Sequence, residues 1–210
     1  MTLEETLRPG RSWDEMRADF RWEIPDSLNI ADALVGARAR AEPERLALRV
    51  LALDGARDWS YGALDAAARR LANAFSAHGV GRGDRVGVLL PQSPEALIAH
   101  LAAWRVGAIS TLLFTLFGEE GLTFRLADSG AAALVTDAAN LPKITAIRDR
   151  LPALRLLLST DGPGEGAAGL AETLARASDS QRAVETGPED PAFLAYTSGT
   201  TGPPKGALHA

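Results

Sequence analysis

The sequence predicts an α/β fold in which a parallel sheet is flanked by helices, and two patterns carry this prediction. From Asp84 onward, short apolar runs alternate with helical segments of about 10–15 residues. Strands separated by such helices pair in parallel through right-handed crossovers. The apolar runs lack a regular alternation with polar residues, as expected of strands that are covered on both faces.

The first thirty residues differ from the rest because they contain no long periodic element. Trp13, Phe20 and Trp22 stand among charged residues in this stretch. Large aromatic side chains gain much free energy from burial. We therefore predict an extended arm over residues 1–30 whose aromatic side chains dock on the body of the protein.

A helix and a hairpin are predicted next. Asn29 is a suitable N-cap for a helix over residues 30–41. Residues 46–53 form a strand-like apolar run, and Asp54-Gly55 after it is a dipeptide typical of hairpin turns. This part of the chain therefore precedes the alternating pattern as a separate unit.

The alternating part of the chain begins with a long helix. The predicted elements, in order, are this helix from residue 61 to 77, a strand over 86–90, a helix over 94–105, a strand over 108–114, a helix over 118–129, a strand over 132–136, a helix over 138–150, a strand over 154–158, a flexible surface loop over 159–169 and a helix over 170–177.

Serine, proline and glycine mark the ends of several of these helices. Ser60 and Ser93 are suitable N-caps, and Pro94 fits the first helical turn, where its missing N–H costs nothing. Gly79 and Gly107 follow the last helical residues and favour helix termination.

Composition excludes several classes of function. A net charge of −5 and a pI near 5.3 argue against nucleic acid or an anionic membrane as the main partner. The absence of cysteine excludes disulfides, thiolate catalysis and cysteine–metal sites. No apolar run reaches membrane-spanning length and the first residues are polar and acidic, unlike a signal peptide. We therefore predict a cytoplasmic protein.

The titratable residues show no catalytic spacing. His78, His100 and His209 lie far apart in the sequence and form no pair with metal-ligand spacing, so each is predicted to be a surface or packed histidine. Four carboxylates stand at the ends of predicted elements, where caps and solvated charges are common. These residues are Asp84, Glu95, Asp128 and Asp137. No catalytic residue is assigned to the chain.

One apolar run leaves two interpretations open. Residues 112–117 read Leu-Leu-Phe-Thr-Leu-Phe, which would suit the lining of an acyl pocket. Apolar runs belong more often to the core, and that interpretation is favoured here.

The stretch that carries the most chemistry lies near the end of the chain. Residues 192–196 form a short apolar and aromatic run that predicts a buried strand. Residues 197–206 follow directly and read Thr-Ser-Gly-Thr-Thr-Gly-Pro-Pro-Lys-Gly. Glycines permit close approach of the backbone to a ligand, hydroxyls and backbone N–H groups donate to anions, and a lysine adds a point charge suited to phosphate.

A surface loop or linker is the alternative interpretation of this stretch. Two points favour a phosphate loop. The glycine-rich turn follows a predicted buried strand, and Lys205 is one of only two lysines beside twenty arginines. The spacing is not that of a Walker A loop, because Pro203 follows Gly202 where that motif requires lysine.

The unbroken run from Tyr196 to Gly206 resembles the phosphate-loop signature of the adenylate-forming superfamily. That superfamily includes acyl- and aryl-CoA ligases, peptide-synthetase adenylation domains and firefly-type luciferases. Residues 59–64 and 79–86 resemble the same family, and residues 20–30 are similar to the lead-in of acetyl- and medium-chain acyl-CoA synthetases.

The resemblance implies an ATP-dependent, AMP-forming acid–CoA ligase. In that family a carboxylate attacks the α-phosphate of Mg·ATP, pyrophosphate leaves, and the thiol of CoA takes the acyl group from the acyl-adenylate. ATP, Mg²⁺, CoA and a small carboxylic acid are the implied ligands. The residues implied to hold the ATP phosphates are Thr197, Ser198, Gly199, Thr200, Thr201, Gly202 and Lys205.

The family's adenine, ribose, magnesium and C-terminal catalytic motifs would all lie after residue 210, as would a helix expected after Gly206. We therefore expect the N-terminal part of the enzyme's large domain, inactive by itself and prone to self-association through its uncovered sheet edge. A carrier-protein-loading adenylation domain and a non-catalytic product with weak phosphate binding are the alternatives.

Three segments are expected from this reading. Residues 1–60 form an arm, a helix and a hairpin, residues 61–187 form an α/β subdomain, and residues 188–210 supply a strand and the phosphate loop.

Overall fold

The computed structural model describes residue 10 and residues 12–52, 55–197 and 202–210. The strands in this part of the chain are β1 (Leu46–Ala52), β2 (Gly55–Ser60), β3 (Arg85–Leu89), β4 (Ile109–Leu112), β5 (Ala131–Thr136), β6 (Leu156–Ser159), β7 (Ala168–Gly169), β8 (Phe193–Thr197) and β9 (Lys205–His209).

The helices precede the first strand or lie between later strands. They are α1 (Trp13–Asp19), a π-helical turn (Asp32–Gly36) that continues into α2 (Ala37–Ala41), α3 (Tyr61–Ala77), α4 (Pro94–Arg105), α5 (Glu119–Ser129), α6 (Leu141–Thr145), a 3₁₀ turn (Arg148–Arg150) and α7 (Leu170–Arg176).

Seven strands form one sheet in the order β7-β6-β5-β3-β4-β8-β9, and β1 and β2 form a separate antiparallel hairpin. Every neighbouring pair from β7 to β8 is parallel, and β9 runs antiparallel to β8. The predicted parallel α/β fold is therefore confirmed. The hairpin predicted near Asp54-Gly55 is present, although residues 53 and 54 lie outside the described part of the chain.

Two apolar cores lie on opposite faces of the large sheet. Helices α3 and α4 pack on one face through side chains such as Phe75 and Leu101. Helix α5 and the turns around α6 pack on the other face, with Leu134 of β5 at the centre. Each fully buried large side chain contributes about 1.5–3 kcal/mol to folding, so this double covering stabilises the central strands.

The predicted helix caps are confirmed by hydrogen bonds. Asn29 Oδ1 accepts from the N–H groups of Ala31 and Asp32, at 3.1 and 3.2 Å. Ser60 Oγ and Ser93 Oγ each accept from the N–H of the third residue onward, both at 3.2 Å. These bonds satisfy N–H groups that a helix leaves without an internal partner.

The prediction for the N-terminal arm is wrong in two respects. Residues Trp13–Asp19 form a helix that begins with a capping box, in which Ser12 and Glu15 bond each other's N–H group. Trp13 and Trp22 are 71% and 80% exposed, so these rings do not dock on the body. Trp22 instead packs edge-on against Phe20, with 4.9 Å between ring centroids.

The single helix predicted over residues 138–150 is also wrong. Pro142 cannot occupy a helix interior, and helix α6 begins only at Leu141. After α6 the chain continues through a 3₁₀ turn, and the Arg148 guanidinium donates to the carbonyls of Leu151 and Leu154 at 2.9 and 2.6 Å. A side chain thus satisfies carbonyls that a continued helix would have paired internally.

The loop predicted over residues 159–169 contains a short edge strand. Ala168 and Gly169 pair with Leu158 and Ser159 and form β7. Hydrogen bonds in both directions between Gly164 and Ala167 tighten the turn that leads into it.

Candidate functional site

Strands β8 and β9 form a hairpin around the predicted loop at residues 197–206. In this hairpin Thr197 pairs with Lys205 and Tyr196 pairs with Gly206. Residues Lys205–His209 form a strand, so no helix begins directly after Gly206. Pairing with β8 fixes their extended conformation, and the antiparallel register brings both ends of the loop together.

The structure describes three of the seven predicted site residues. Thr197 ends β8, Lys205 begins β9, and Gly202 lies between them with a φ of +93° that favours glycine. A Cβ built on Gly202 meets no atom within 4 Å, so this turn faces open space. The predicted positions Ser198, Gly199, Thr200 and Thr201 lie outside the described residues.

Strand β8 ends at the carboxyl edge of the parallel sheet. Strand β8 is parallel to β4, which is parallel to β3, so the ends of these strands lie on the same side. In open α/β sheets ligands bind outside the carboxyl ends of the strands. The hairpin thus places a glycine- and hydroxyl-rich segment at the edge where such folds bind ligands.

The two lysines have opposite surroundings. Lys143 Nζ donates to the Thr115 carbonyl at 2.7 Å and to Asn140 Oδ1 at 2.9 Å, so its charge holds helix α6 to the loop after β4. Lys205 is exposed and has no hydrogen bond or ion pair with any other described residue. Its ammonium group is available to an anion held by the hairpin.

A contact with helix α5 anchors the last turn of β8. The Tyr196 hydroxyl donates to Asp128 Oδ2 at 2.6 Å, and its ring meets Phe124 edge-on, with 6.2 Å between centroids. Burial raises the pKa of the Tyr196 phenol, and hydrogen bonding to the Asp128 carboxylate raises it further. Tyr196 therefore stays protonated and keeps donating at physiological pH.

Arg125 lies beside this contact. Its guanidinium carbon is 3.9 Å from the centroid of the Phe117 ring and 5.8 Å from that of Tyr196. The side chain is buried, its Nη1 donates to the Gly121 carbonyl at 2.8 Å, and its Nε has no partner. Arg125 was not predicted as a site residue, and Asp128 was predicted to be a cap or a solvated charge. No local sequence pattern links a helix to a strand 68 residues later.

The other carboxylates behave as predicted. Asp84 Oδ2 accepts from the Gly81 N–H at 3.0 Å and from Arg155 Nη2 at 2.9 Å. Asp137 Oδ1 accepts from the Asn140 N–H at 2.8 Å, and Glu95 lies in the first turn of α4. All three stabilise turns or helix starts.

The apolar run at residues 112–117 is partly buried in the core and partly exposed, so neither interpretation describes the whole run. Leu113 is buried in the core, whereas Leu112, Phe114 and Leu116 are exposed, Leu116 by 95%. Leu112 ends β4 and Phe114 and Leu116 follow it, so these side chains lie at the same edge of the sheet as the end of β8. Phe114 contacts Phe117, with 5.5 Å between ring centroids.

A separate cleft lies near the amino ends of the strands. It has a volume of about 560 Å³ and is lined by Arg40, Arg69, Arg105 and Arg182. Three of these charges have partners, because Arg40 bonds Asp32, and Arg105 and Arg69 both pair with a buried carboxylate on α3. Helix α4 ends at Arg105 before β4 begins, so the cleft is separated from the loop by the length of the sheet.

The described residues contain no group of three or more His, Cys, Asp or Glu side chains that could hold a metal ion. None of their helices combines the length and the apolar character that crossing a bilayer would require.

Together these features define an α/β domain with a parallel sheet and a hairpin at its carboxyl edge. The family model for AMP-binding enzymes matches residues 35–210. The chain belongs to this family.

Named relatives agree with this assignment. The chain is 37% identical over 155 residues to the long-chain-fatty-acid–CoA ligase FadD13 of Mycobacterium tuberculosis, covering 71% of this chain and 29% of the relative. It superposes on an acyl-CoA synthetase of Brucella canis with a TM-score of 0.82 and 28% identity, covering 93% of this chain and 37% of that one.

A second solved structure is the anthranilate CoA ligase AuaEII in complex with anthranoyl-AMP. The TM-score is 0.79 at 30% identity, and the match covers 90% of this chain and 36% of the ligase. The chain thus spans about a third of the length of the proteins it matches.

Proposed function

We propose that this chain forms the phosphate-binding part of an ATP-dependent, AMP-forming acid–CoA ligase. The observation that carries the proposal is the β8–β9 hairpin. It holds Lys205, which has no partner among the described residues, opposite Thr197 at the carboxyl edge of the sheet. Membership of the AMP-binding enzyme family supports the same assignment.

The proposed roles follow from the chemistry of the side chains. Lys205 compensates the charge of the ATP phosphates, and Gly199 and Gly202 allow the backbone N–H groups to approach them. The hydroxyls of Thr197, Ser198, Thr200 and Thr201 complete the donor set. Such a loop provides positioning and charge compensation, which are the main requirements of transfer at phosphorus.

The proposed reaction has two steps in the whole enzyme. A carboxylate oxygen bonds the α-phosphorus of ATP while the bond to pyrophosphate breaks. The thiol sulfur of CoA then bonds the acyl carbon while AMP leaves. Mg²⁺ would compensate phosphate charge, but the described residues offer no cluster of ligands for it, so we assign none of them to the metal.

The acid is proposed only as a class. FadD13 is named for long-chain fatty acids and AuaEII for anthranilate, so the relatives share the carboxylate rather than the group attached to it. We propose a small-molecule carboxylic acid, ATP and CoA as the ligands. A cytoplasmic location and the lack of nucleic-acid and membrane partners remain predictions from composition.

The test is ATP–pyrophosphate exchange with a panel of acids, run on a protein that has the length of the relatives. Exchange that depends on a carboxylic acid, followed by release of acyl-CoA when CoA is added, is the expected result. Transfer to a carrier protein but not to CoA would favour the carrier-loading alternative. Absence of exchange with every acid would leave only the alternative of weak phosphate binding.

The 210-residue chain has its own test. We propose that it is inactive in exchange and self-associates through β9, which is the edge strand of the sheet and exposes Leu208. Light scattering over a range of concentrations should show oligomers. A monomer at the highest concentration would contradict the proposed association.

A further inference from the structure

Strand β8 is only partly held by the sheet. Its register with β4 comprises two pairs, Ser110 with Phe193 and Thr111 with Leu194. The last three residues of β8 have no partner on the β4 side and pair only with β9. Because β9 is itself an edge strand, hairpin pairing alone leaves the position of Thr197 relative to the sheet weakly determined.

Side chains of helix α5 supply the missing support. Tyr196, the residue before the predicted loop, donates its hydroxyl to Asp128 Oδ2 at 2.6 Å. Arg125 lies one helical turn before Asp128, so both side chains share the face of α5 that meets β8. The guanidinium of Arg125 lies over the ring of Phe117 and approaches that of Tyr196.

Two features of these contacts do not serve the stability of the fold, which indicates that the contacts have a further role. Arg125 is only 9% exposed and its Nε has no hydrogen-bond partner, which is unfavourable for a buried guanidinium. A phenylalanine at position 196 would fill the same volume and would need no acceptor. The hydroxyl adds a directional bond to an exposed carboxylate, and such bonds fix geometry while adding little to stability.

We propose that Asp128 and Arg125 are positioning residues that act through Tyr196 to hold Thr197 and Lys205 where the ATP phosphates bind. This inference rests on the proposed function and deepens it. Neither residue touches the nucleotide in this scheme. Loss of the contact lets the end of β8 move and weakens ATP binding, while the fold and the site for the acid are unaffected.

The first measurement compares Tyr196→Phe, Asp128→Ala and Asp128→Asn in the enzyme of full length. We expect Tyr196→Phe and Asp128→Ala to raise the KM for ATP about three- to tenfold, as loss of one hydrogen bond does, with the KM for the acid unchanged. Asp128→Asn keeps an acceptor oxygen and should restore most of the affinity. The double variant Tyr196→Phe/Asp128→Ala should equal the single variants, because both remove the same bond.

The matched control is Tyr61→Phe. Tyr61 is the only other tyrosine of the chain and begins α3, on the far face of the sheet from α5. Its replacement should leave the KM for ATP unchanged.

A second measurement does not depend on enzymatic activity. In the 210-residue chain carrying Tyr61→Phe, tyrosinate absorbance reports Tyr196 alone. The charged groups that act on this phenol are Asp128 and Arg125 of α5, and burial and Asp128 keep its pKa above the ordinary value near 10. Adding Asp128→Ala should move the titration to lower pH.

The two measurements distinguish failure of the contact, failure of the positioning role and failure of the proposed function. Unchanged tyrosine titration on loss of Asp128 would show that the contact does not form and would overturn the inference. A tyrosine titration that moves to lower pH as expected, together with an unchanged KM for ATP in an active enzyme, would overturn only the positioning role. A wild-type enzyme of full length that shows no exchange would overturn the proposed function and the positioning role with it.

Discussion

The centre of the sheet and its hairpin edge are built in different ways. Every residue of β5 is buried, and strands β3 and β6 beside it are almost as well covered. Most of β9 is exposed, and β8 buries only Leu194 completely. The centre uses its side chains for packing, whereas the edge keeps polar and charged side chains available for a ligand.

The two lysines show what this difference means for function. Lys143 has its ammonium bonded to a carbonyl and an amide oxygen, so its charge serves the structure. Lys205 carries the same group at the edge without such partners among the described residues. This difference supports the proposal that the charge of Lys205 serves to bind an anion.

The largest expected contrast concerns core leucines and edge leucines. Leu134 of β5 is fully buried, and Leu134→Ala should lower the free energy of unfolding by about 2–5 kcal/mol, because it leaves a cavity between β5 and α5. Leu208→Ala on β9, where the side chain is 58% exposed, should change it by less than about 0.5 kcal/mol. Urea unfolding of both variants measures the contrast, and equal losses would contradict it.

The next prediction concerns the pH dependence of the free energy of unfolding. His100 stacks on Trp104 within helix α4, and burial lowers the pKa of His100 to about 4. The unfolded chain then binds more protons than the folded chain between about pH 6.5 and pH 4, so stability is complete above pH 6.5 and falls below it. We expect a loss of about 1–3 kcal/mol across this window.

His100→Gln should remove that loss, which is checked by urea unfolding at several pH values between 4 and 7. The control is His209→Gln on β9, where the imidazole is exposed. Its pH dependence should follow the wild type. A wild-type slope that persists in His100→Gln would assign the titration to another group.

A smaller effect is expected from a glycine of the central strand. A Cβ at Gly87 would lie 2.8 Å from Leu134 Cδ1 and 3.2 Å from Leu126 Cδ2. Gly87→Ala should therefore destabilise the protein by about 1–3 kcal/mol through overpacking. Gly81→Ala is the control, because a Cβ there meets no atom within 4 Å. Thermal unfolding compares them, and a Gly87→Ala variant as stable as Gly81→Ala would show that the core accommodates the methyl group.

Local signals account for what the sequence predicts correctly. The alternation of apolar runs and helices gave the parallel sheet, and Ser93 and Pro94 gave the start of α4 at the observed residue. These features depend on hydrogen bonds and sterics within one element. The capping box of Ser12 and Glu15 is also a local signal, and it was present in the sequence although helix α1 was not predicted.

The errors come from contacts between distant parts of the chain. Residues 205–209 carry no clear strand pattern, and only pairing with β8 makes them β9. Exposure of Trp13 and Trp22 likewise reflects what the body offers for packing rather than the residues themselves. The contact between Tyr196 and Asp128 joins two elements 68 residues apart, so no sequence window contains it.

The most direct test of the central claim is the effect of Lys205 substitutions on ATP use in the enzyme of full length. Loss of a contact between a charged amine and phosphate costs roughly 1.5–3 kcal/mol, so Lys205→Ala should raise the KM for ATP or lower the rate of adenylation at least about tenfold. Lys205→Arg should restore only part of this, because a forked guanidinium does not replace a compact ammonium. Acid binding measured without ATP should remain unchanged. Unaltered ATP kinetics in Lys205→Ala would contradict the assignment of the β8–β9 hairpin as the phosphate site.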